Sequence, residues 1–177
     1  MGKFGKWLSW IALMLAVSGC ETTGMSVRDG NGANNLAVLE ALKQPDKDGI
    51  RVHVEANAKG NYHVGDPIRF KIISAKPGRL WIIAVNSENR AELLFPHGND
   101  DENTLDASQE YLFPPRDSKK VLYADRPLGK TALAFIVTGK DAELSDIVSL
   151  KNGNLRNVSF GSDNQWGVAK LTINVEK

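Results

Sequence analysis

The chain has 177 residues, 42% of them hydrophobic and 24% charged, and its formal net charge is +1 at pH 7. This length suits one domain with a substantial core, and the charge balance gives no electrostatic reason to expect nucleic acid as a partner. Cys20 is the only cysteine, so no internal disulfide can form and the fold must be stable without one.

The first twenty residues contain the three parts of an export signal in the usual order. Two lysines form a short positive region, and residues 7–17 are apolar except for one serine. That run is shorter than the roughly 20 apolar residues that cross a bilayer. The small residues Ser18 and Gly19 then precede Cys20, a combination that resembles the bacterial lipobox.

A lipobox implies that residues 1–19 are a lipoprotein signal peptide, cut off after the sulfur of Cys20 has been joined to a diacylglycerol. Acyl chains such as palmitate contribute about 0.8 kcal/mol per buried CH₂, so a multiply acylated cysteine would hold the protein on a membrane. An ordinary secretory signal or an uncleaved anchor is the alternative. Glu21 is not the aspartate that resembles an inner-membrane retention signal. We therefore expect a lipid anchor in the bacterial outer membrane, with the domain in the periplasm.

A tether and a short helix are predicted next. The lipidated cysteine and the polar, glycine-rich residues that follow it, 20–35, have almost no large apolar side chains and so predict a flexible tether. Leu36, Leu39 and Leu42 have the spacing of an amphipathic helix that begins at an asparagine cap and ends before Pro45. We expect this helix to pack against a sheet or, alternatively, to dock a partner.

Residues 36–177 are predicted to form one mainly β domain, a single antiparallel β-sandwich with one or two short helices. The run Leu80–Val85 is almost entirely apolar, which predicts the most buried strand, and the alternation in 167–176 is typical of a strand with one buried face. Residues 141–150 have helical spacing. The predicted strands lie at 50–55, 68–74, 80–86, 91–96, 109–113, 131–138 and 167–176.

Two motifs in the first half of this domain carry a family resemblance. Residues 62–70 are similar to the "Y-x-x-G-D-x-hydrophobic" opening of bacterial domain of unknown function 4384. Residues 78–83 resemble the "G-Y-L-Y-hydrophobic" strand of that family, with Arg79 and Trp81 where tyrosines are usual. The residues of both motifs have a structural role, since glycine and proline suit a tight turn at the entry to a strand.

Three further motifs continue the series to about residue 138. Residues 92–97 resemble the family's "LLFPN" strand end, with His97 in place of the asparagine. Residues 111–114 resemble its tyrosine-x-hydrophobic-proline segment, and residues 126–130 its "pPxG" return. Members of the family look like β-sandwich modules attached to lipoproteins, kinases or peptidase-like domains, which implies an accessory or binding role and supplies no catalytic residues.

Metal and catalytic sites find little support in the sequence. The three histidines, His53, His63 and His97, lack the close spacing of a zinc motif, so we expect no metal and no other cofactor. There is no Gly-x-Ser-x-Gly elbow, no serine next to a histidine and no phosphate-cradling glycine loop. We therefore expect a protein that is not an enzyme, with no catalytic residues.

The loop after the predicted strand 91–96 is the most polar in the chain. It lacks the alternating ligands and the closing glutamate of an EF-hand, so we prefer a solvated loop to a calcium site. A long loop at the end of a rigid strand is a reasonable contact surface for a partner. The predicted contact residues are His97, Asn99, Asp100, Asp101 and Glu102.

Trp81 and Trp166 are candidates for stacking on a ligand such as a sugar. A tryptophan is also a frequent core anchor, and we prefer that interpretation for Trp166. With either interpretation the indole ring needs a hydrogen-bond partner for its N–H when it is buried.

These observations lead to two hypotheses of different classes. The first is a non-enzymatic, membrane-anchored envelope lipoprotein that binds another envelope protein, such as a component of a secretion or surface assembly, through the loops 97–107 and 139–166. The alternative is a module that binds cell-wall glycan or a small ligand in an apolar pocket near one of the two tryptophans. A hydrolytic enzyme is the weakest hypothesis.

Overall fold

The computed structural model describes five stretches of the chain, all within one unit, Asn31–Lys177. They are residues 34–43, 49–58, 60–97, 102–158 and 165–177. The predicted signal peptide, Cys20, most of the tether and residues 99–101 of the contact loop lie outside the described residues. No helix of the described stretches is long and apolar enough to span a bilayer.

The described residues are mainly β, as predicted. Helix α1 spans Asn35–Ala41, and a 3₁₀ turn spans Leu144–Asp146. The strands are β1 (Val52–Ala56), β2 (Asn61–His63), β3 (Pro67–Ile68), β4 (Phe70–Ser74), β5 (Gly78–Val85), β6 (Ala91–Phe95), β7 (Thr104–Leu105), β8 (Glu110–Phe113), β9 (Leu122–Tyr123), β10 (Gly129–Thr138), β11 (Val148–Lys151), β12 (Asn154–Asn157) and β13 (Trp166–Glu176).

Two sheets face each other and form the predicted sandwich. The larger has the order β2-β13-β10-β5-β6, with β7 also paired to β5, and the smaller has the order β1-β4-β8. All pairings in the two sheets are antiparallel except β2 with β13, which is parallel. Two short antiparallel pairs, β3–β9 and β11–β12, complete the topology.

The first core lies between these two sheets. Phe70 of the smaller sheet and Phe135 of the larger are fully buried, and their rings meet edge to face with centroids 4.9 Å apart. Such a pair contributes about 0.5–1.5 kcal/mol beyond the area that it buries. Other members of this core are Ile68, Ile72, Leu80, Ile82, Phe95, Leu133, Val137, Ile173 and Val175.

The other face of the larger sheet is also covered, which gives the domain a third layer. Along β5, Leu80 and Ile82 belong to the first core, whereas Ile83 and Val85 belong to a second core on the opposite face. The sequence of a strand that is buried on both faces is a continuous apolar run instead of an alternation of apolar and polar residues. Residues 80 and 82–85 are buried and Trp81 is half-buried, but the prediction that this is the most buried strand is wrong, since residues 132–138 of β10 are buried without interruption.

Helix α1 forms part of the third layer. Leu39 and Leu42 enter the second core, so the prediction that the helix packs against a sheet is confirmed. The side chain of Asn34 caps the helix by accepting a hydrogen bond from the backbone N–H of Ala37 at 3.1 Å. This local bond fixes where the helix begins, and the leucines fix which face it buries.

Asn35 ties the start of α1 to two other parts of the domain. Its side chain is buried, with the residue 1% exposed, and its Nδ2 donates to the carbonyl oxygens of Asn89 at 2.6 Å and Gly153 at 2.8 Å. Its Oδ1 accepts from the N–H of Leu155 at 2.8 Å. One buried amide therefore joins the helix to the β5–β6 loop and to the β11–β12 hairpin.

The prediction of a helix over residues 141–150 is largely wrong. Only the 3₁₀ turn forms, and the chain continues into β11, which pairs with β12. Asn152 and Gly153 have positive φ angles of 52° and 74°, the conformation of a tight hairpin turn. The turn chemistry and the packing of Val148 and Leu155 in the second core outweigh the weak helical pattern.

The interpretation of residues 139–166 as a contact loop, which presupposes an exposed segment, is also wrong for its described part. Ile147, Val148 and Leu155 are each 1% exposed and cover the second face of the larger sheet. A few apolar side chains, spaced to point to one side of a hairpin, are enough to bury this segment. The hairpin therefore contributes to the core rather than standing free of it.

Candidate binding groove

An apolar groove lies where the two sheets end side by side. β6 is the last strand of the larger sheet, and β8 is the last strand of the smaller one. Side chains of both strands line a cavity of about 620 Å³ between them, which we call the β6–β8 groove. This volume falls within the range of about 300–1,000 Å³ that is typical of ligand sites.

Aromatic rings of the first core form the floor of the groove. Phe95 ends β6 and Phe113 ends β8, with ring centroids 4.8 Å apart, and Tyr111 lies 6.4 Å from Phe95. The two phenylalanines are core residues that reach the groove because the described residues place no strand beyond β6 or β8 on that side. The floor is thus the edge of the core, and Phe95 and Phe113 are themselves only 5% and 9% exposed.

A bulge contributes a further apolar side chain to the groove. Ile82 pairs with Phe95 but Ile83 pairs with Leu93, which leaves Leu94 without an opposing residue. An extra residue of this kind bends an edge strand and changes where its side chains point. Leu94 lines the groove and is packed against the first core.

The segment 114–122 forms one wall of the groove. Its start follows directly from β8, and its end is held by β9, which pairs with β3. Pro114, Pro115 and Val121 line the cavity, and Val121 is 48% exposed. Two prolines have no N–H to donate and fixed φ angles, so this wall starts as non-sheet backbone.

Charged side chains stand at the rim. His97, Glu102 and Lys120 line the groove, and the segment 116–120 has three basic residues and one acidic residue. Among the described residues, neither Arg116 nor Lys119 is part of any ion pair. Lys120 lines the groove itself, whereas Arg116 and Lys119 are exposed in the same segment beside it and do not line the cavity.

The predicted contact residues reach this site in part. His97 and Glu102 line the groove, as the contact-loop hypothesis requires, whereas Asn99, Asp100 and Asp101 lie outside the described residues. The sequence analysis did not select the wall formed by residues 114–122. A usable signal was present, since two separate segments each end a strand with phenylalanine followed by proline.

Trp81 and Trp166 lie away from the β6–β8 groove. Trp166 is 7% exposed in the second core, which agrees with the core-anchor interpretation. Trp81 is half-buried, its indole N–H donates to Thr138 Oγ1 at 3.2 Å, and the guanidinium of Arg79 lies 6.0 Å from its ring centroid. A stacking role for Trp81 stays a prediction.

The histidines are not brought together. Nε2 of His53 lies 3.0 Å from Oε1 of Glu55, and Nδ1 of His63 lies 3.5 Å from Oδ2 of Asp66. His97 lies at the groove. Within the described part of the chain, no group of three or more histidine, cysteine or acidic side chains is placed to hold a metal ion.

The tyrosine and glycine-aspartate of the first motif build a turn. Gly65 has a φ of +95°, and Oδ2 of Asp66 accepts the N–H of His63 at 2.7 Å. The hydroxyl of Tyr62 is buried and donates to Oδ1 of Asn57, and burial raises its pKa above 10.0. The turn is tied to the strand β9 region by two backbone hydrogen bonds between residues 65–66 and Ala124.

Fold and groove together define a β-sandwich domain with an aromatic-lined groove at one edge. Residues 61–141 match the family model described as Domain of unknown function (DUF4384). The range agrees with the motif series between residues 62 and about 138. No curated protein and no solved structure matches the chain.

The family motifs meet at the groove. Residues 92–97 supply Leu94, Phe95 and His97, and residues 111–114 supply Tyr111, Phe113 and Pro114. Core packing explains the phenylalanines in part, but the same side chains also line an open cavity. The groove is therefore a feature built from the residues by which the family was recognised.

Proposed function

We propose that this protein is a non-enzymatic envelope lipoprotein, anchored in the outer membrane through Cys20, whose β domain binds another envelope protein through the β6–β8 groove. The observation that supports the binding role is the groove itself, because two of the family motifs supply its floor. Secretion and surface assemblies of the envelope are where we expect such an accessory module to act.

Uncovered apolar surface supports a binding role on physical grounds. Apolar side chains that line an open cavity are typical of ligand and partner sites. Val121 and Tyr123, 48% and 55% exposed, lie on and next to the wall of the groove and add to its apolar surface. Because each is already about half buried, covering one contributes about half of the roughly 1.5–3 kcal/mol that full burial of an apolar side chain contributes.

Cell-wall glycan or a small ligand is the second candidate for the same site. An aromatic floor and a volume of about 620 Å³ suit a ring-shaped ligand as well as a peptide. Sedimentation of the protein with purified peptidoglycan tests this candidate. Co-sedimentation that is lost in the variant Val121→Asp favours glycan, and failure to co-sediment removes it.

Site-directed photo-cross-linking in intact cells tests the proposed protein partner. A photoreactive residue replaces Val121 at the groove, and a matched control replaces Lys151, which is exposed at the end of β11. We expect a discrete product with an envelope protein from position 121 and none from position 151. Adding Thr104→Arg, which places a long charged side chain at the groove, should abolish the product.

Two results count against the proposal. If positions 121 and 151 give the same products, or if Thr104→Arg leaves the product unchanged, the groove is not the binding site. The anchor has a separate test, since mass spectrometry of the protein from its native membrane should find a diacylglycerol on Cys20. An unmodified thiol at that residue would contradict the lipoprotein assignment.

A further inference from the structure

The β6–β8 groove is bounded by two strand edges. β6 pairs only with β5 and β8 pairs only with β4 among the described strands. The N–H of Ala91, at the start of β6, already donates to the carbonyl oxygen of Gly153, so the open part of this edge begins after that residue. An edge strand presents backbone groups that another strand can pair with, and many proteins bind an extended peptide in this way. A strand added here would extend one of the two sheets over the aromatic floor.

The spacing of the floor suits an extended segment. In a strand, alternate side chains point to the same face, so an added strand places every second residue on the floor. β6 and β8 contain five and four residues, so a strand paired along either would be roughly 13–17 Å long at about 3.3 Å per residue. Two residues of each strand line the groove. This length accommodates four or five residues of a partner, with two or three side chains on Phe95, Phe113 and Leu94.

The charges of the wall select among such segments. Residues 114–122 have three basic side chains and one acidic one, and Arg116 and Lys119 form no ion pair within the described part of the chain. The described lining of the groove has a single carboxylate, Glu102. An occupant with acidic residues beside its apolar ones is therefore complementary to this wall.

On the basis of the proposed function, we propose that the partner presents to the groove an extended segment of four or five residues, apolar at alternate positions and flanked by acidic residues that pair with Arg116 and Lys119. Binding by strand addition uses backbone hydrogen bonds for affinity and the aromatic floor for specificity. The flanking acids set the direction of the segment and make its association depend on salt.

Selection of peptides on the intact protein tests this inference. Phage that display random nine-residue peptides are selected on the full chain, purified in detergent, and counter-selected on its variant Val121→Asp. We expect enriched peptides with apolar residues at a period of two and with Asp or Glu at an end. Synthetic copies should bind roughly tenfold more weakly in 0.5 M than in 0.05 M NaCl, because the paired charges are screened.

Charge reversal supplies the matched control. The double variant Arg116→Glu, Lys119→Glu should weaken binding of the acidic peptides at least tenfold and favour copies with lysine in place of the acids. Lys151→Glu, an exposed change outside the groove, should leave binding unchanged. All three positions are exposed, and circular dichroism shows whether the variants keep the fold.

Failure of this inference is distinguishable from failure of the proposed function. Enriched peptides with apolar residues three or four apart, or binding that charge reversal leaves within a factor of two, would overturn the extended acidic segment. Selection of no peptide above the counter-selection would overturn it as well. In each case a product at position 121 in cells would still support the protein partner, whereas its absence there overturns the proposed function.

Discussion

Arg79 Nη1 lies 2.7 Å from Glu143 Oε1, and this contact ties strand β5 to the segment that leads from β10 to the β11–β12 hairpin. Nη2 of the same arginine donates to the carbonyl oxygens of Lys140 at 3.1 Å and Ala142 at 2.9 Å. In the strand motif that residues 78–83 resemble, a tyrosine stands where this chain has Arg79. Arg79 therefore makes three polar contacts with residues 140–143, which a tyrosine, with one hydroxyl, would not reproduce.

Two single variants should separate the contribution that the backbone contacts of Arg79 make to stability from the contribution of its ion pair with Glu143. We expect Glu143→Ala to lower the free energy of unfolding by less than about 1 kcal/mol, because Glu143 is half-exposed and such pairs are weak. Arg79→Ala should cost more, about 1–2 kcal/mol, since it also removes both bonds to carbonyls. Urea denaturation measures both. Equal losses in the two variants would mean that the carbonyl contacts contribute nothing.

Asn35→Ala should be strongly destabilising. The change leaves the buried N–H of Leu155 without its partner. It also removes the bonds to the carbonyl oxygens of Asn89 and Gly153, although Gly153 still accepts from the N–H of Ala91. We expect a loss of about 2–4 kcal/mol in the free energy of unfolding. The matched control is Asn34→Ala, which removes only the helix cap and should cost about 1 kcal/mol. The prediction fails if the control costs as much as the test variant.

Gly167 is required by the close approach of two chain segments. A Cβ at this position would lie 1.6 Å from the carbonyl oxygen of Ile50, whose N–H donates to Trp166. We expect Gly167→Ala to unfold the domain or to cost more than about 3 kcal/mol, because backbone must move. In Gly139→Ala the nearest atom is at 3.4 Å, so thermal melting should show a small change there. A melting point of Gly167→Ala close to that of Gly139→Ala would contradict the close approach of Gly167 to Ile50.

The pH response of the outer face of the smaller sheet can be read at Glu55. A hydrogen bond from Lys71, and then the contact with His53, hold the pKa of Glu55 below its usual 4.5. A lowered pKa in the folded state stabilises the protein at pH values above the pKa of the unfolded state. This contribution is lost as the pH falls through the pKa of the folded state. Carboxyl NMR titration should find a pKa below 4.5 that rises in Lys71→Met.

The contribution of Lys71 to stability depends on pH in the opposite direction. Glu55 raises the pKa of Lys71 above 10.5, so its contribution is present below that pH and is lost as the pH rises through the folded value. Glu55 is exposed and Lys71 is partly exposed, so 0.5 M NaCl should reduce both pKa shifts. A Glu55 pKa that does not respond to the removal of the lysine would show that this pair does not interact in solution.

The sequence predicts the sandwich well because its strongest signals are local. The apolar run that becomes β5, the alternation that becomes β13 and the turn at Gly65–Asp66 each depend on a few neighbouring residues. The helix α1 was predicted for the same reason. The family motifs were recognised through similar short patterns and agree with the matched range of residues 61–141.

The third layer and the groove were harder to predict because they depend on residues far apart in the chain. Nothing near Val148 indicates that it packs on the sheet, and the hairpin turn at Asn152 had to compete with a helical pattern. Likewise, Phe95 and Phe113 are 18 positions apart and look like ordinary core residues until the sheets end beside each other.

The burial of β10 on both faces has a consequence for how the domain opens. This strand is hydrogen-bonded to β13 on one side and β5 on the other, and residues 132–138 are all buried. Loosening of the helix and hairpin uncovers one of its faces, and separation of the small sheet uncovers the other, so neither event alone frees its amides. Deuterium should therefore enter β10 last, and only when the whole molecule unfolds.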